Sequence, residues 1–207
     1  MLTGVFLLLL SYLIGSLPTA VLISRAVLGK DIRYLGDGNM GARNVAKVMG
    51  WRYGVVVFTV DFSKGVLVVV LARMLGFSLE WQLLAAGCAV LGHDFPIFVG
   101  LRGGQGLATI LGILFTLMPA EFLGALVAFL AIYAFTHHLD LSLGVGIGLL
   151  ISFALVLREP PAMVLAAVIM VLSIPLKKFV IDRAHRTRVE AQMTSVQDEV
   201  HSHSTKS

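Results

Sequence analysis

From Leu2 to Ser24 the chain carries no charged side chain. About 20 apolar residues suffice for a helix to cross the roughly 30 Å hydrocarbon core of a bilayer, and this run meets that length. The pattern recurs, with apolar segments at about 2–24, 53–75, 80–99, 107–118, 120–136, 141–157 and 162–176. Backbone N–H and C=O groups find no water inside lipid, so such segments satisfy their own hydrogen bonds by becoming helices. The pattern predicts an all-α integral membrane protein with seven transmembrane helices. Two segments, 107–118 and 162–176, are shorter than a full span. Composition excludes the soluble alternative: only 14% of residues are charged and 57% are hydrophobic, where a soluble domain carries about 25% charged residues.

Residues 1–190 read as a single polytopic membrane domain, and 191–207 as a polar, disordered tail. The first segment has no basic leader and no small-residue cleavage site, so it is expected to stay as a helix. Gly15-Ser16-Leu17-Pro18 interrupts it, and a proline there frees a carbonyl and kinks the helix. Placing the N-terminus outside puts 13 of the 16 Lys and Arg on the inner side and only Arg73 and Arg158 outside. Basic loops mark the cytoplasmic face, so the C-terminus is expected there. The same rule accounts for the net charge of +4 without a nucleic-acid partner. The lone Cys88 excludes an internal disulfide.

Two glycine-rich loops fall on this inner face. The first, Gly36-Asp37-Gly38-Asn39-Met40-Gly41-Ala42-Arg43-Asn44, has the G-x-G-x-x-G spacing. A dinucleotide turn needs a strand before it and a βαβ unit around it, and neither is present. It is either a solvated connection or an anion site in which glycine amides turn inward together, with Arg33, Arg43 and Lys47 supplying charge. The second, Gly103-Gly104-Gln105-Gly106, opens an apolar helix. It is either a tight turn or a helix N-terminus aimed at an anion.

Polar residues inside the spans are expensive and need a reason. His93 and Asp94 sit near the end of the third segment, as packing or as a base with its orienter. Asp61 and Lys64, three apart, can pair on one helix face, structurally or toward substrate. His137, His138 and Asp140 are too few and too poorly spaced for a metal site, and neither metal nor cofactor is expected. A chain of this kind brings a water-soluble phosphate to something held in lipid.

The motifs resemble, in order along most of the chain, those of the PlsY family of acyl-phosphate:glycerol-3-phosphate acyltransferases. Gly15-Ser16-Leu17-Pro18 is similar to its G-S-[IL]-P. Asp31-Ile32-Arg33, Gly36, Gly38-Asn39, Gly41-Ala42 and Asn44 follow D-I-R-x-x-G-S-G-N-x-G-A-T-N. Asp61, Lys64 and Gly65 follow D-x-x-K-G; Gly92-His93, Phe95-Pro96, Gly103-Gly104, Gly106 and Ala108-Thr109 follow G-H-x-F-P and G-G-K-G-x-A-T. Ser142-Leu143 falls at a third loop motif, and His185-Arg186 resembles H-R-x-N. The departures are Asp37 for serine, Arg43 for threonine, Lys47 for the usual arginine, Gln105 for the lysine of G-G-K-G and Arg188 for asparagine. The arginine expected before Ser142 and the closing G-T-E are absent. Arg43 and Arg188 add charge where Gln105 removes it, as though the anion site were rebuilt.

The resemblance implies acyl phosphate as donor, glycerol 3-phosphate as acceptor, lysophosphatidic acid as product and a bacterial cell-membrane location. It implies catalytic roles for His93, His185 and Asn39. Substrate binding would fall to Arg33, Gly36, Asp37, Gly38, Gly41, Arg43, Asn44, Lys47, Gly103, Gly104, Gln105, Gly106, Ser142 and Arg186. Two alternatives stay open: a redirected or inactive paralogue, and a transporter or binder of phosphorylated metabolites. Oligomeric state is not readable from the sequence.

Overall fold

The computed structural model describes residues 1–179, which are helical throughout with no strand among them. The expected tail 191–207 and the candidates His185 and Arg186 lie outside the described residues. The order is α1 (Leu2–Ser16), α2 (Thr19–Leu28), a 3₁₀ turn (Ile32–Tyr34), α3 (Ala42–Met49), α4 (Trp51–Met74), α5 (Leu79–Asp94), a second 3₁₀ turn (Ile97–Val99), α6 (Leu107–Leu117), α7 (Pro119–Thr136) and α8 (Leu139–Val156). A last helix, α9, spans Pro161–Phe179.

Among the described residues, six helical stretches are long and apolar enough to cross a membrane: Leu2–Leu28, Trp51–Met74, Leu79–Val99, Pro119–Thr136, Leu139–Val156 and Pro161–Phe179. The expected seventh, at 107–118, is α6, with 11 residues. At 1.5 Å per residue it is about 16 Å long, half the hydrocarbon thickness. The segment at 162–176, short by sequence, reaches 19 residues because the helix continues through Lys177 and Lys178 to Phe179.

Glycine sets how closely the first helices approach, as small residues do between helices in lipid. A Cβ on Gly15 would strike the Ala89 carbonyl, and one on Gly92 would strike that of Tyr12, so α1 and α5 touch backbone to backbone. Gly65 meets Thr109 and Gly112 meets Phe62 in the same way, joining α4 to α6. Around this quartet an apolar cluster including Val69, Ile113, Leu114, Leu150, Met163 and Met170 gathers α8 and α9.

The first span is broken at Leu17-Pro18, and the break is answered from the middle of α4. Lys64 Nζ donates to the Leu17 carbonyl at 2.5 Å and to Asp61 Oδ1 at 2.6 Å. Thr19 Oγ1 donates to the same Asp61 oxygen at 3.0 Å. Both ends of this pair are 4% exposed, so its charges are satisfied at mid-depth rather than by water. Leu107, at the start of α6, is also drawn to this level, since Thr109 Oγ1 donates to the Asp61 carbonyl at 3.1 Å. Polar segments thus collect at one end of the bundle: residues 29–50, 95–106 and 137–138.

Candidate active site

The first loop is built by its side chains. Asp31 caps the 3₁₀ turn by accepting from the Arg33 amide at 3.1 Å. Asn44, only 1% exposed, acts as a clamp: its Nδ2 donates to the carbonyls of Leu35 at 3.0 Å, Asn39 at 2.7 Å and Ile32 at 3.4 Å. Its Oδ1 accepts from the Asp37 amide at 3.0 Å. The sequence reading put Asn44 among the substrate ligands, but the structure spends its polar atoms on the loop backbone. Gly36 and Gly38 have φ of +60° and +74°, a region costly for residues with a Cβ. Asn39 Oδ1 is buried in the loop without a hydrogen-bond partner among the described residues.

The second loop is built by its main chain. Gly103 N–H donates to the Asp94 carbonyl at 3.0 Å and Gly104 N–H to the His93 carbonyl at 3.3 Å. These amides, expected to face an anion, instead satisfy the last carbonyls of α5, which a helix end leaves open. A Cβ on Gly103 would run into both carbonyl oxygens, and one on Gly104 into His93 Nε2. His93 is 3% exposed, with Nδ1 3.4 Å from Thr109 Oγ1. Of the two roles open to it, packing is the one this geometry supports. Gly106, at φ +69°, starts α6 beside the Asp94 carboxylate, whose buried Oδ1 has no hydrogen-bond partner among the described residues.

Arg33 joins the loops. Its Nε and Nη2 grip the two Asp31 oxygens at 3.0 and 2.8 Å, a planar fork on a carboxylate. Its Nη1 reaches across to the carbonyls of Val99 at 2.6 Å and Arg102 at 3.4 Å. The guanidinium holds the Asp31 carboxyl down at about 2, against a burial effect in the other direction. Arg33, expected as a substrate clamp, is here a strut between two loops.

The other expected cations have acid partners on the surface. Lys47 Nζ lies 3.2 Å from Asp37 Oδ2, and Arg43 Nη1 lies 2.8 Å from Asp140 Oδ1. The second pair ties α3 to the start of α8, where Ser142 is fully buried and donates to the His138 carbonyl at 2.8 Å. Arg43, whose added charge was set against the charge lost at Gln105, is here paired with Asp140. Gly41 precedes α3 as its N-cap. Among the described residues no group of three His, Cys, Asp or Glu is placed to hold a metal ion.

Sequence reasoning missed three participants. Asp140 was weighed only as a metal ligand. Tyr12 donates to the Phe95 carbonyl at 2.7 Å, fixing α1 to the approach of the second loop. Lys177 donates to the Asp94 carbonyl at 2.8 Å. Only the fold brings these distant positions together, though a lysine near a span end was a visible signal.

Paired glycine-rich loops at the end of an apolar bundle agree with what this chain is similar to. A family model described as glycerol-3-phosphate acyltransferase matches residues 5–190. A Geobacter sulfurreducens glycerol-3-phosphate acyltransferase is 38% identical over 79% of this chain and 84% of its own. A Deinococcus radiodurans glycerol-3-phosphate acyltransferase 1 is 45% identical over 77% of this chain and 79% of its own. The fold is similar to the crystal structure of PlsY, an integral membrane glycerol 3-phosphate acyltransferase, in its glycerol 3-phosphate form. The TM-score is 0.77 and the identity 29%, over 93% of both chains; its lysophosphatidic acid form gives 0.74. Sequence motifs, loop architecture and whole-chain similarity converge, and the chain belongs to the glycerol-3-phosphate acyltransferase family.

Proposed function

We propose that this chain transfers a fatty acyl group from an acyl phosphate to glycerol 3-phosphate, releasing 1-acyl-glycerol 3-phosphate and inorganic phosphate in the bacterial cell membrane. The observation that carries the reading is the Arg33 strut, which holds two glycine-rich loops side by side where an apolar bundle meets water. A hydroxyl oxygen of the acceptor attacks the acyl carbonyl carbon. The bond from that carbon to the phosphate oxygen breaks, and the hydroxyl proton leaves on the phosphate. Phosphate is already a good leaving group, so no protein side chain needs to be acylated, and the protein's part is positioning and charge stabilisation.

In this reading Asn39 belongs to the site through the sequence motif, its Oδ1 being buried in the loop without a hydrogen-bond partner among the described residues. Lys47 and Arg43 exchange exposed acid partners for phosphate, since such surface pairs are worth little. Asn44, Arg33 and His93 keep the loops in shape. Gly36, Asp37, Gly38, Gly41, Gly103, Gly104, Gln105, Gly106 and Ser142 shape the walls. His185 and Arg186 belong to the reading through the sequence motif alone.

Purified protein in detergent, given acyl phosphate and glycerol 3-phosphate, is expected to release phosphate only when both are present, and acyl thioesters are expected to be poor donors. Formation of 1-acyl-glycerol 3-phosphate with release of the free thiol, when a thioester is the sole donor, overturns the donor assignment. Saturable binding without turnover overturns the enzyme and favours a transporter, for which broken helices such as α1/α2 and the short α6 are also suited. The loops are assigned to the cytoplasmic side. In a Cys88→Ser background, a cysteine in place of Gly38 is expected to be labelled only from that side, and one in place of Phe77 only from the other. The reverse pattern overturns the orientation.

A further inference from the structure

Lys177 lies at the end of α9, where a lysine of a membrane helix usually extends outward to water. Here the side chain turns onto α5. Its Nζ donates to the Asp94 carbonyl at 2.8 Å and stands 3.6 Å from the centre of the Phe95 ring. The same carbonyl accepts the Gly103 amide at 3.0 Å, so the ammonium and the second loop meet on one oxygen. An ammonium has three donors, and among the described residues one of them has a protein acceptor. The stretch Gly103-Gly104-Gln105-Gly106 contains no cation of its own.

We propose that Lys177 is a further phosphate-binding residue of this site, and that it engages the phosphate of the lipid-borne acyl phosphate. The proposal rests on the acyl-phosphate reading above. Its surroundings choose the donor over the acceptor. Phe95, Ile97, Phe98 and Leu101, which lead into the loop, are 44%, 56%, 57% and 55% exposed. In a membrane such side chains border acyl chains. A phosphate arriving here is one whose tail lies in lipid, whereas the polar first loop lies beyond the Arg33 strut. A charge held beside apolar surface also attracts an anion more strongly than one in water.

The plainer role for Lys177 is to cap the C-terminal carbonyl of α5. Lys177→Gln separates the two, because an amide still donates to Asp94 O but carries no charge. It is expected to raise the Michaelis constant for acyl phosphate about ten- to a hundredfold, with that for glycerol 3-phosphate within about twofold. Lys177→Arg is expected to stay near the parent, and Gln105→Lys in the Lys177→Gln protein to recover much of the loss. A readout independent of turnover is inorganic phosphate, which is expected to raise the thermal midpoint of the detergent-solubilised parent and to do so less for Lys177→Gln. An unchanged donor constant overturns the proposal. So does a rise confined to the acceptor, or misfolding of Lys177→Gln, which marks a purely structural cap. A parent that does not turn over, yet is stabilised by phosphate through Lys177, overturns the reaction assigned above and leaves the anion site standing.

Discussion

The two glycine-rich loops resemble each other in composition and differ in what holds them. The first is laced together by side chains: Asn44 gathers three carbonyls and Asp31 fixes Arg33. The second has no such lacing. Its glycines lie directly on the end of α5 and bond to main-chain oxygens. Glycine therefore means different things in the two places. At Gly38 the conformation needs it, while a Cβ would meet only the Arg33 carbonyl, at 3.5 Å. At Gly103 and Gly104 the space needs it. The first loop depends on a side-chain clamp as well as on its glycines, the second on bare glycine lying against the end of α5.

The largest effect expected from this contrast is at Gly103. Gly103→Ala places a methyl against two carbonyl oxygens that cannot move without unwinding α5, and both turnover and the yield of monodisperse protein in detergent are expected to collapse. Gly104→Val is expected to act alike by displacing His93. Folded, active Gly103→Ala would show that the second loop is not held by close backbone contact.

Asn44 comes next. Asn44→Ala leaves several buried groups unpaired, each worth about 1–3 kcal/mol. Asn44→Asp is expected to be worse, because an ionised carboxylate has no donor to offer three carbonyls. Thermal midpoints and the acceptor Michaelis constant check the order. If Asp is better tolerated than Ala, the clamp is misassigned.

The strut between the loops has a pH signature. The Asp31 carboxyl lies at about 2, below its unfolded value of about 3.9. A depressed carboxylate contributes stability that is fully present above the unfolded value and is lost as pH falls through the folded one. Thermal stability is thus expected to fall between about pH 4 and pH 2, and Asp31→Asn to flatten that limb. An unchanged acid limb in the variant removes Asp31 from the strut.

The smallest effect is at the surface tie between α3 and α8. Arg43 and Asp140 are 56% and 67% exposed, so Arg43→Ala is expected to cost within about 1 kcal/mol of stability. Asp140→Ala should cost a similar amount, and the double variant less than both together. Strict additivity would mean that the pair does not interact.

How much of this was legible depended on whether the signal was local. Hydropathy located the six helices long enough to cross and also counted the short run at 107–118 as a seventh, since lipid imposes one rule on each segment, while the distribution of Lys and Arg put both loops on one side. The i, i+3 spacing of Asp61 and Lys64 announced their pairing. The short α6 was visible as a short apolar run, but its starting depth was not. Depth is set by Thr109 meeting the Asp61 carbonyl, a contact across 48 residues. The second loop's glycines stayed open between a tight turn and amides aimed at an anion, because sequence cannot show that α5 ends beneath them. Arg43 was matched to Gln105 by charge counting, while the fold hands it to Asp140, 97 residues away.

The ion pair of α4 bears on how the chain is made. Asp61 and Lys64 lie near the centre of a 24-residue helix, and a charged residue at that position costs about 2.5–3.5 kcal/mol on insertion. Leu17 and Thr19, which receive the pair, belong to the span that precedes α4 in the chain. A helix that would insert poorly alone is therefore expected to insert with the help of partners that precede it in the chain. The broken first helix is thereby a template for the order of assembly. A chain in which that helix were exchanged for a plain polyleucine span would be expected to stall at its second crossing, before either loop had formed.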